Sequence, residues 1–412
     1  MKPSPTDEGQ SGHALPDPAG VTPLRSWLAV LSLALGSFAS VTSEFLPVGV
    51  LPEVAQTYGI STGSAGLMMT LPGVLAALSA PGVMILAGRA DRRRTLLSLS
   101  AILLVSSLVA VWAPVFWLML ISRALVGLSL GAFWAMALAV AGRLVTADKS
   151  HKAAAAVFAG VTAAMILGVP LGTLVAEHFS WRGAFVAAAV IAAVALLMQW
   201  LTLPSLPANG AMRFASLVQF VKRAPARKSL LMIALIFAAH FGTYTYVAPL
   251  MQQAGIDASS ITPVLLGYGI AGFFANFAAS HFVAKDLRGS LLVAKVLMLA
   301  SLLVLPFLAA LPWAVIALIM VWGIAWGALP LCLNIWNRSI SGGETDAPSA
   351  MFTFTTQVAI AIGSGGGGLV MDHISIDMTF WAGAAVVLLS AIVLVAYSPR
   401  EAKAATGCAS NI

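Results

Sequence analysis

Gly168-Val-Pro-Leu-Gly172-Thr-Leu-Val-Ala-Glu177-His178-Phe-Ser180 is answered 195 positions later by Gly363-Ser-Gly-Gly-Gly367-Gly-Leu-Val-Met-Asp372-His373-Ile-Ser375. Both stretches read G-x3-G-x-L-V, then acid-His-x-Ser, and Phe185 and Phe380 extend the match. A second pair, Gly127-Leu-Ser-Leu-Gly131-Ala132 and Gly323-Ile-Ala-Trp-Gly327-Ala328, recurs at an offset of 196. Two matches at nearly one offset mark a chain made of two copies of one unit. Each match lies in a long apolar run, so the repeated unit is built from membrane helices.

Composition supports this. Of 412 residues, 60% are hydrophobic and 9% charged, against about 25% charged in soluble domains. That little polar surface cannot cover a soluble core. Twelve apolar runs have the length of about 20 residues that a helix needs to cross hydrocarbon. They fall near 25–51, 64–87, 95–113, 115–142, 153–176, 181–203, 229–251, 260–283, 290–311, 313–337, 347–371 and 377–398. Barrel strands would alternate apolar and polar residues, and these runs do not. The expected fold is an all-α membrane protein of twelve transmembrane helices in two pseudo-symmetric six-helix bundles.

All but three of the 22 Lys and Arg fall on the side that holds the N-terminus. The exceptions are Arg182 on the opposite side and Arg123 and Lys295 inside spans. By the positive-inside rule both termini are cytoplasmic, and the net charge of +7 needs no nucleic-acid partner. The expected organisation is a disordered tail over 1–24, a six-helix bundle over 25–203, a cytoplasmic linker over 204–228, a second bundle over 229–398 and a tail over 399–412. The first 24 residues hold five Pro and no apolar core of a signal peptide. Cys332 and Cys408 lie in dissimilar settings and suggest no disulfide framework. Paired bundles that rock about a central site provide alternating access, which points to a transporter.

Short motifs sharpen the reading. Gly88-Arg89-Ala90-Asp91-Arg92-Arg93-Arg94 follows span two, Arg123-x3-Gly127-x3-Gly131 lies in span four, Gly168-Val-Pro170-Leu-Gly172 in span five, and Trp181-Arg182-x2-Phe185 in the next loop. In this order they resemble the major facilitator superfamily, drug:proton antiporter branch, over roughly 25–398. Gly88 stands where that family usually has Asp. Thr42-Ser43-Glu44-Phe45-Leu46-Pro47-Val48, Gly131-Ala-Phe133-Trp134-Ala-Met136 and Tyr244-Thr-Tyr246 before Pro249 are similar to elements of sugar and purine ribonucleoside efflux permeases. The resemblance implies a monomeric transporter of a bacterial inner membrane, with the loop and span-five motifs serving conformational change.

The membrane interior supplies little ionic chemistry, and what it holds is informative because buried charge is costly. Glu44 and Arg123 lie at similar depths, roughly 10 and 12 Å below the outer surface at 1.5 Å per residue. They are expected to pair, directly or through water, with Glu44 as proton carrier; the alternative is a static pair locking two helices. Lys295, near the inner end of its span, is expected to snorkel to the headgroups. Phe133, Trp134, His240, Tyr244, Tyr246, Trp326 and Gln357 are the expected substrate contacts, since aromatic faces stack on rings while amide and imidazole groups bond hydroxyls. His240 reads equally as a substrate contact, a second titrating site or a structural histidine.

No catalytic set, metal-ligand spacing or Walker sequence emerges, so no cofactor is expected and energy must come from a gradient. The expected partners are a small molecule, protons and lipid. Export of a purine ribonucleoside or sugar-like metabolite by proton antiport is the leading expectation. A proton-coupled multidrug or chloramphenicol-type pump is the alternative, and an uncoupled facilitator or membrane sensor a third.

Overall fold

The computed structural model describes residues 23–86, 90–146, 149–207, 214–283, 285–340 and 346–396. The first half comprises α1 (Pro23–Tyr58), α2 (Thr62–Ala65), α3 (Leu67–Leu86), α4 (Arg92–Trp112), α5 (Phe116–Ala141), α6 (Ser150–His178) and α7 (Trp181–Thr202). After α8 (Phe214–Lys222) come α9 (Ala224–Tyr244), α10 (Val247–Gln253), α11 (Ala258–Val283), α12 (Leu287–Val304), α13 (Pro312–Ser339), α14 (Asp346–His373) and α15 (Ile376–Val395). Among the described residues twelve helical segments are long and apolar enough to cross a membrane. Among the described residues there is no strand.

Three expected spans are interrupted. The run 229–251 divides at Thr245 and Tyr246, between α9 and α10. Pro249 has no N–H for the carbonyl four residues back, so the ladder fails at Thr245. Pro306 likewise ends α12, and the chain continues as a 3-10 turn over Leu305–Leu308. Span two begins with the single turn of α2, capped by Ser61, before α3 starts beyond Gly66. The stretch 204–228 contains α8, which buries Leu217 and Phe220 and packs against α14.

The two halves match helix for helix. In the first, α1 packs on α6 and α7, and α5 on α3 and α4; in the second, α9 packs on α14 and α15, and α13 on α11 and α12. The glycines of the repeat sit at these crossings. A Cβ on Gly127 would strike the Pro72 carbonyl and one on Gly131 that of Ala76. Gly323 meets Tyr268 and Gly327 meets Gly272 in the same way, each partner again 196 positions on. Gly168 and Gly172 approach Thr42 and Leu46, as Gly363 and Gly367 approach Ala238 and Gly242. Without side chains at these points the helix backbones come close enough for dispersion to hold them in lipid, where the hydrophobic effect between helices is absent.

Candidate functional site

Arg123 is 1% exposed on α5. Its Nη2 donates to the carbonyls of Ser43 at 2.7 Å and Glu44 at 3.0 Å, and its Nε to that of Met68 at 3.1 Å. Two of these acceptors are free for a reason written in the sequence. Ser43 and Met68 stand four residues before Pro47 and Pro72, whose missing N–H groups leave those carbonyls outside the helical ladder. The guanidinium thus satisfies backbone that two prolines orphaned, and ties α5 to α1 and α3. Among the described contacts Arg123 and Glu44 make no direct side-chain hydrogen bond: Nε and Nη2 donate to backbone carbonyls instead.

Glu44 is nonetheless within electrostatic reach of Arg123, and its carboxyl is met by the side chain of Gln357 from α14, in the other half. Oε1 of Glu44 and Oε1 of Gln357 have no hydrogen-bond partner. Ser37, Thr42 and Ser43 nearby on α1 carry unpartnered buried hydroxyls as well. Such atoms are costly in a membrane interior, about 1–3 kcal/mol each, so a concentration of them marks a place built to receive water, a proton or polar cargo.

The halves close against each other on the Ser61 side of this point. Ser61 Oγ and the Gly63 N–H donate to the Asp372 carboxylate at 2.5 and 2.9 Å. Below them Thr70 and Ser364 hydroxyls meet at 3.0 Å, and Thr262 Oγ1 donates to Thr173 Oγ1 at 2.7 Å. Gly73 lies against the Gln357 and Ala361 backbone, and Phe45 stacks on Phe241 across the halves, centroids 5.3 Å apart. Tyr246, wholly buried, donates to the Ser364 carbonyl at 2.8 Å and fills the space beside Gly66 and Gly368. It belongs to this seal.

The second half holds a column of rings. Trp326 lies parallel to His240 with centroids 3.4 Å apart; His240 stacks on Tyr244 at 5.0 Å, and Tyr244 on Tyr268 at 5.0 Å. Trp322 presents an edge to His240, Tyr244 and Tyr268. A cavity of about 140 Å3 opens beside the column, lined by Phe45 and Thr162 of the first half and by His240, Tyr268, Asn276 and Trp326 of the second. Sequence reading gathered His240, Tyr244 and Trp326 but missed Tyr268, Phe45 and Asn276. The repeat offset maps Tyr268 onto Pro72, the contact of Gly127, and would have placed it at this crossing.

A family model described as Major Facilitator Superfamily matches residues 33–354. The chain belongs to the major facilitator superfamily. It is similar to the transcription regulatory protein OpdE of Pseudomonas aeruginosa, 32% identical over 92% of this chain and 96% of that protein. It is 30% identical to the purine ribonucleoside efflux pump NepI of Salmonella typhimurium, over 90% of this chain and 94% of the pump. A probable sugar efflux transporter of Helicobacter pylori is 29% identical over 88% and 93%. The fold matches a bacterial homologue of the human lysosomal transporter Spinster, solved inward-facing and unoccupied, with TM-score 0.66, 15% identity and coverage of 95% and 98%. This major facilitator protein is a multi-pass membrane transporter of small molecules and not an enzyme.

The remaining expected residues of this facilitator fall in three places. Phe133 is buried in the core of the first half, against Gly36, whereas Trp134 faces the central cluster with Nε1 unpartnered. Asp91 caps α4 through the Arg93 N–H at 2.8 Å and accepts from the Ser205 hydroxyl and from the Leu206 N–H at 3.1 Å. Burial raises its affinity for a proton, but these hydrogen bonds outweigh it and hold the carboxyl below its ordinary range. The Arg92 N–H returns a bond to Leu206, and Arg93 Nη2 donates to the Trp200 carbonyl at 2.7 Å. The loop motif therefore fastens α4 to the end of α7. Arg89 lies outside the described residues.

At the opposite end Trp181 Nε1 donates to Thr57 at 2.9 Å. Arg182 lies over the Trp181 ring and donates to the Ala113 carbonyl, which Tyr58 also bonds. Gly168, Pro170 and Gly172 lie on α6, which continues as helix through Pro170. Lys295 does not reach the surface. It is wholly buried on the α12 face that carries Leu291 and Met298, and Nζ donates to the Ser390 carbonyl at 3.0 Å. Helical spacing turned it toward α15.

Proposed function

We propose that the chain is a secondary active exporter of a small polar metabolite, a purine ribonucleoside or sugar-like compound, driven by proton antiport. It acts as a monomer in a bacterial cytoplasmic membrane with both termini in the cytoplasm. The observation that carries this reading is the Glu44 carboxyl, buried between the halves, with one oxygen unpartnered and Gln357 of the opposite half against it. A carboxylate there attracts the Gln357 amide of α14 and the guanidinium of Arg123. Protonation weakens that attraction and with it the link between α1 and α14. With the Ser61 end outside, the seal described above closes the outer end, and release of the Glu44 proton to the cytoplasm, which restores its charge, accompanies that closure.

One proton moving down 100 mV supplies about 2.3 kcal/mol, enough for a concentration ratio of about fifty. The names of two relatives, a nucleoside pump and a sugar efflux transporter, support export as the direction. The aromatic lining of the cavity favours, as a second reading, a chloramphenicol-type efflux pump. The test is export of labelled inosine, guanosine, arabinose and chloramphenicol from cells with and without the chain, with and without a protonophore. Export that persists after the gradient collapses sinks the coupling. No export of any compound leaves the regulatory role named for the Pseudomonas relative as the reading to pursue.

A further inference from the structure

Resting on the transport reading, we propose that the cavity beside the ring column is a recognition subsite for a flat, uncharged heteroaromatic ring of nucleobase type, read by His240 and Tyr268. Cargo is thus selected in the second half while Glu44 couples the proton in the first.

Three observations carry it. First, His240 Nδ1 and Tyr268 Oη are buried without partners, on residues that line the cavity. Trp322 Nε1, from the ring standing edge-on to both, is a third such atom. Their combined donor and acceptor capacity suits the edge of a heterocycle. Second, the lining is rich in flat surface: the stacked rings Phe45 and Phe241 and the indole of Trp326 line the cavity together with Gly272 of α11 and Gly327 of α13, which carry no side chain. Third, the cavity of about 140 Å3 is smaller than the roughly 300–1,000 Å3 of sites for drug-sized ligands. It takes one ring system.

A saturated sugar fits this chemistry poorly. Among the described residues no charged side chain lines the cavity, and the amide that does, Asn276, already donates to the Gly327 carbonyl at 3.0 Å. Most hydroxyls of a pentose would lose water without finding partners.

The experiment is binding to the purified full chain in lipid nanodiscs, followed by tryptophan fluorescence, which needs no gradient and so separates recognition from transport. Inosine and hypoxanthine are expected to bind and to compete with each other, and arabinose to leave both undisturbed. Tyr268→Phe keeps the ring and removes one hydrogen bond, and is expected to weaken inosine about tenfold. Arabinose displacing inosine, chloramphenicol binding where inosine does not, or unchanged affinity in Tyr268→Phe would each overturn the proposal. The ligand comparison on the unsubstituted protein decides the matter should that variant not fold. Binding of inosine without its export would sink the transport reading and leave the subsite standing.

Discussion

Glu44 and His240 occupy the same position in the two halves. Thr42 and Leu46 are the residues that Gly168 and Gly172 touch, and Ala238 and Gly242 are those that Gly363 and Gly367 touch. Glu44 and His240 lie midway between these contacts, one turn of helix apart in register from neither. One repeat places a carboxyl there and the other an imidazole, and each is buried with a polar atom unpartnered. Their surroundings separate their tasks: Glu44 has Arg123 and Gln357, whereas His240 has aromatic rings. Glu44→Gln is therefore expected to abolish accumulation against a gradient, a fall of roughly tenfold or more in the steady-state ratio, while downhill exchange continues. His240→Gln is expected to raise the half-saturating concentration of cargo with coupling intact. Counterflow and gradient-driven assays in proteoliposomes separate the two effects, and uphill export by Glu44→Gln contradicts the assignment.

The carbonyls held by Arg123 give a sharper substitution. Lysine keeps the charge but not the planar fork, so it cannot serve Ser43, Glu44 and Met68 together. Arg123→Lys is expected to lower stability by about 1–3 kcal/mol through unpaired buried carbonyls. Pro47→Ala returns an N–H to Ser43 and should recover part of that loss. Thermal unfolding of the single and double variants in detergent measures the coupling; strictly additive effects would refute the link.

Asp372 holds the Ser61 end shut through two hydrogen bonds to the other half. Its replacement by Ala should shift the population toward opening at that end, since about 1.4 kcal/mol changes an equilibrium tenfold. A cysteine introduced at Ser364, directly beneath, reports this as faster labelling by a membrane-impermeant maleimide. Unchanged labelling would assign the seal to packing of Tyr246 and the glycines alone.

Asp91 allows a pH prediction outside the membrane. Its folded proton affinity is lowered, so the stabilisation it gives is present above the unfolded value, near the ordinary 3.8. It is lost as pH falls through the lower folded value. Asp91→Ala should cost about 1 kcal/mol at pH 7, the usual worth of an N-cap, and the gap from the unsubstituted protein should close in strong acid. Melting temperatures across that range test it.

Much of this architecture was legible because lipid imposes simple demands. Length and apolarity mark the spans, and the glycines marked the repeat because helix backbones touch there. The breaks at Thr245 and Leu305 were also written, as Pro249 and Pro306, yet hydropathy runs through them unchanged. The hold of Arg123 on Ser43 and Met68 was hidden for a similar reason: charge invites a search for opposite charge, while the partners are carbonyls that prolines set free. Tyr268 was missed because no short motif surrounds it; only its crossing with Gly323 gives it a place. Lys295 was misread because distance from a span end says nothing of which face a residue takes.

That lysine supports a final prediction. Lys295 is buried where α12 packs on α15, and its described hydrogen bond is the one to Ser390, whose own hydroxyl donates to Met232 on α9 at 3.4 Å. One carbonyl compensates little of the solvation that an ammonium gives up on burial. Methionine has nearly the same length and no charge, and replacing buried ionic groups by apolar ones of similar volume is often stabilising by about 1–4 kcal/mol. Lys295→Met should therefore unfold at a higher temperature than the unsubstituted chain, with export unaffected. If export falls while the melting temperature rises, the lysine serves the transport cycle, and its position between α12 and α15 would locate that service in the second half. A lower melting temperature would mean that the Ser390 bond outweighs the desolvation, contrary to the balance argued from a single acceptor.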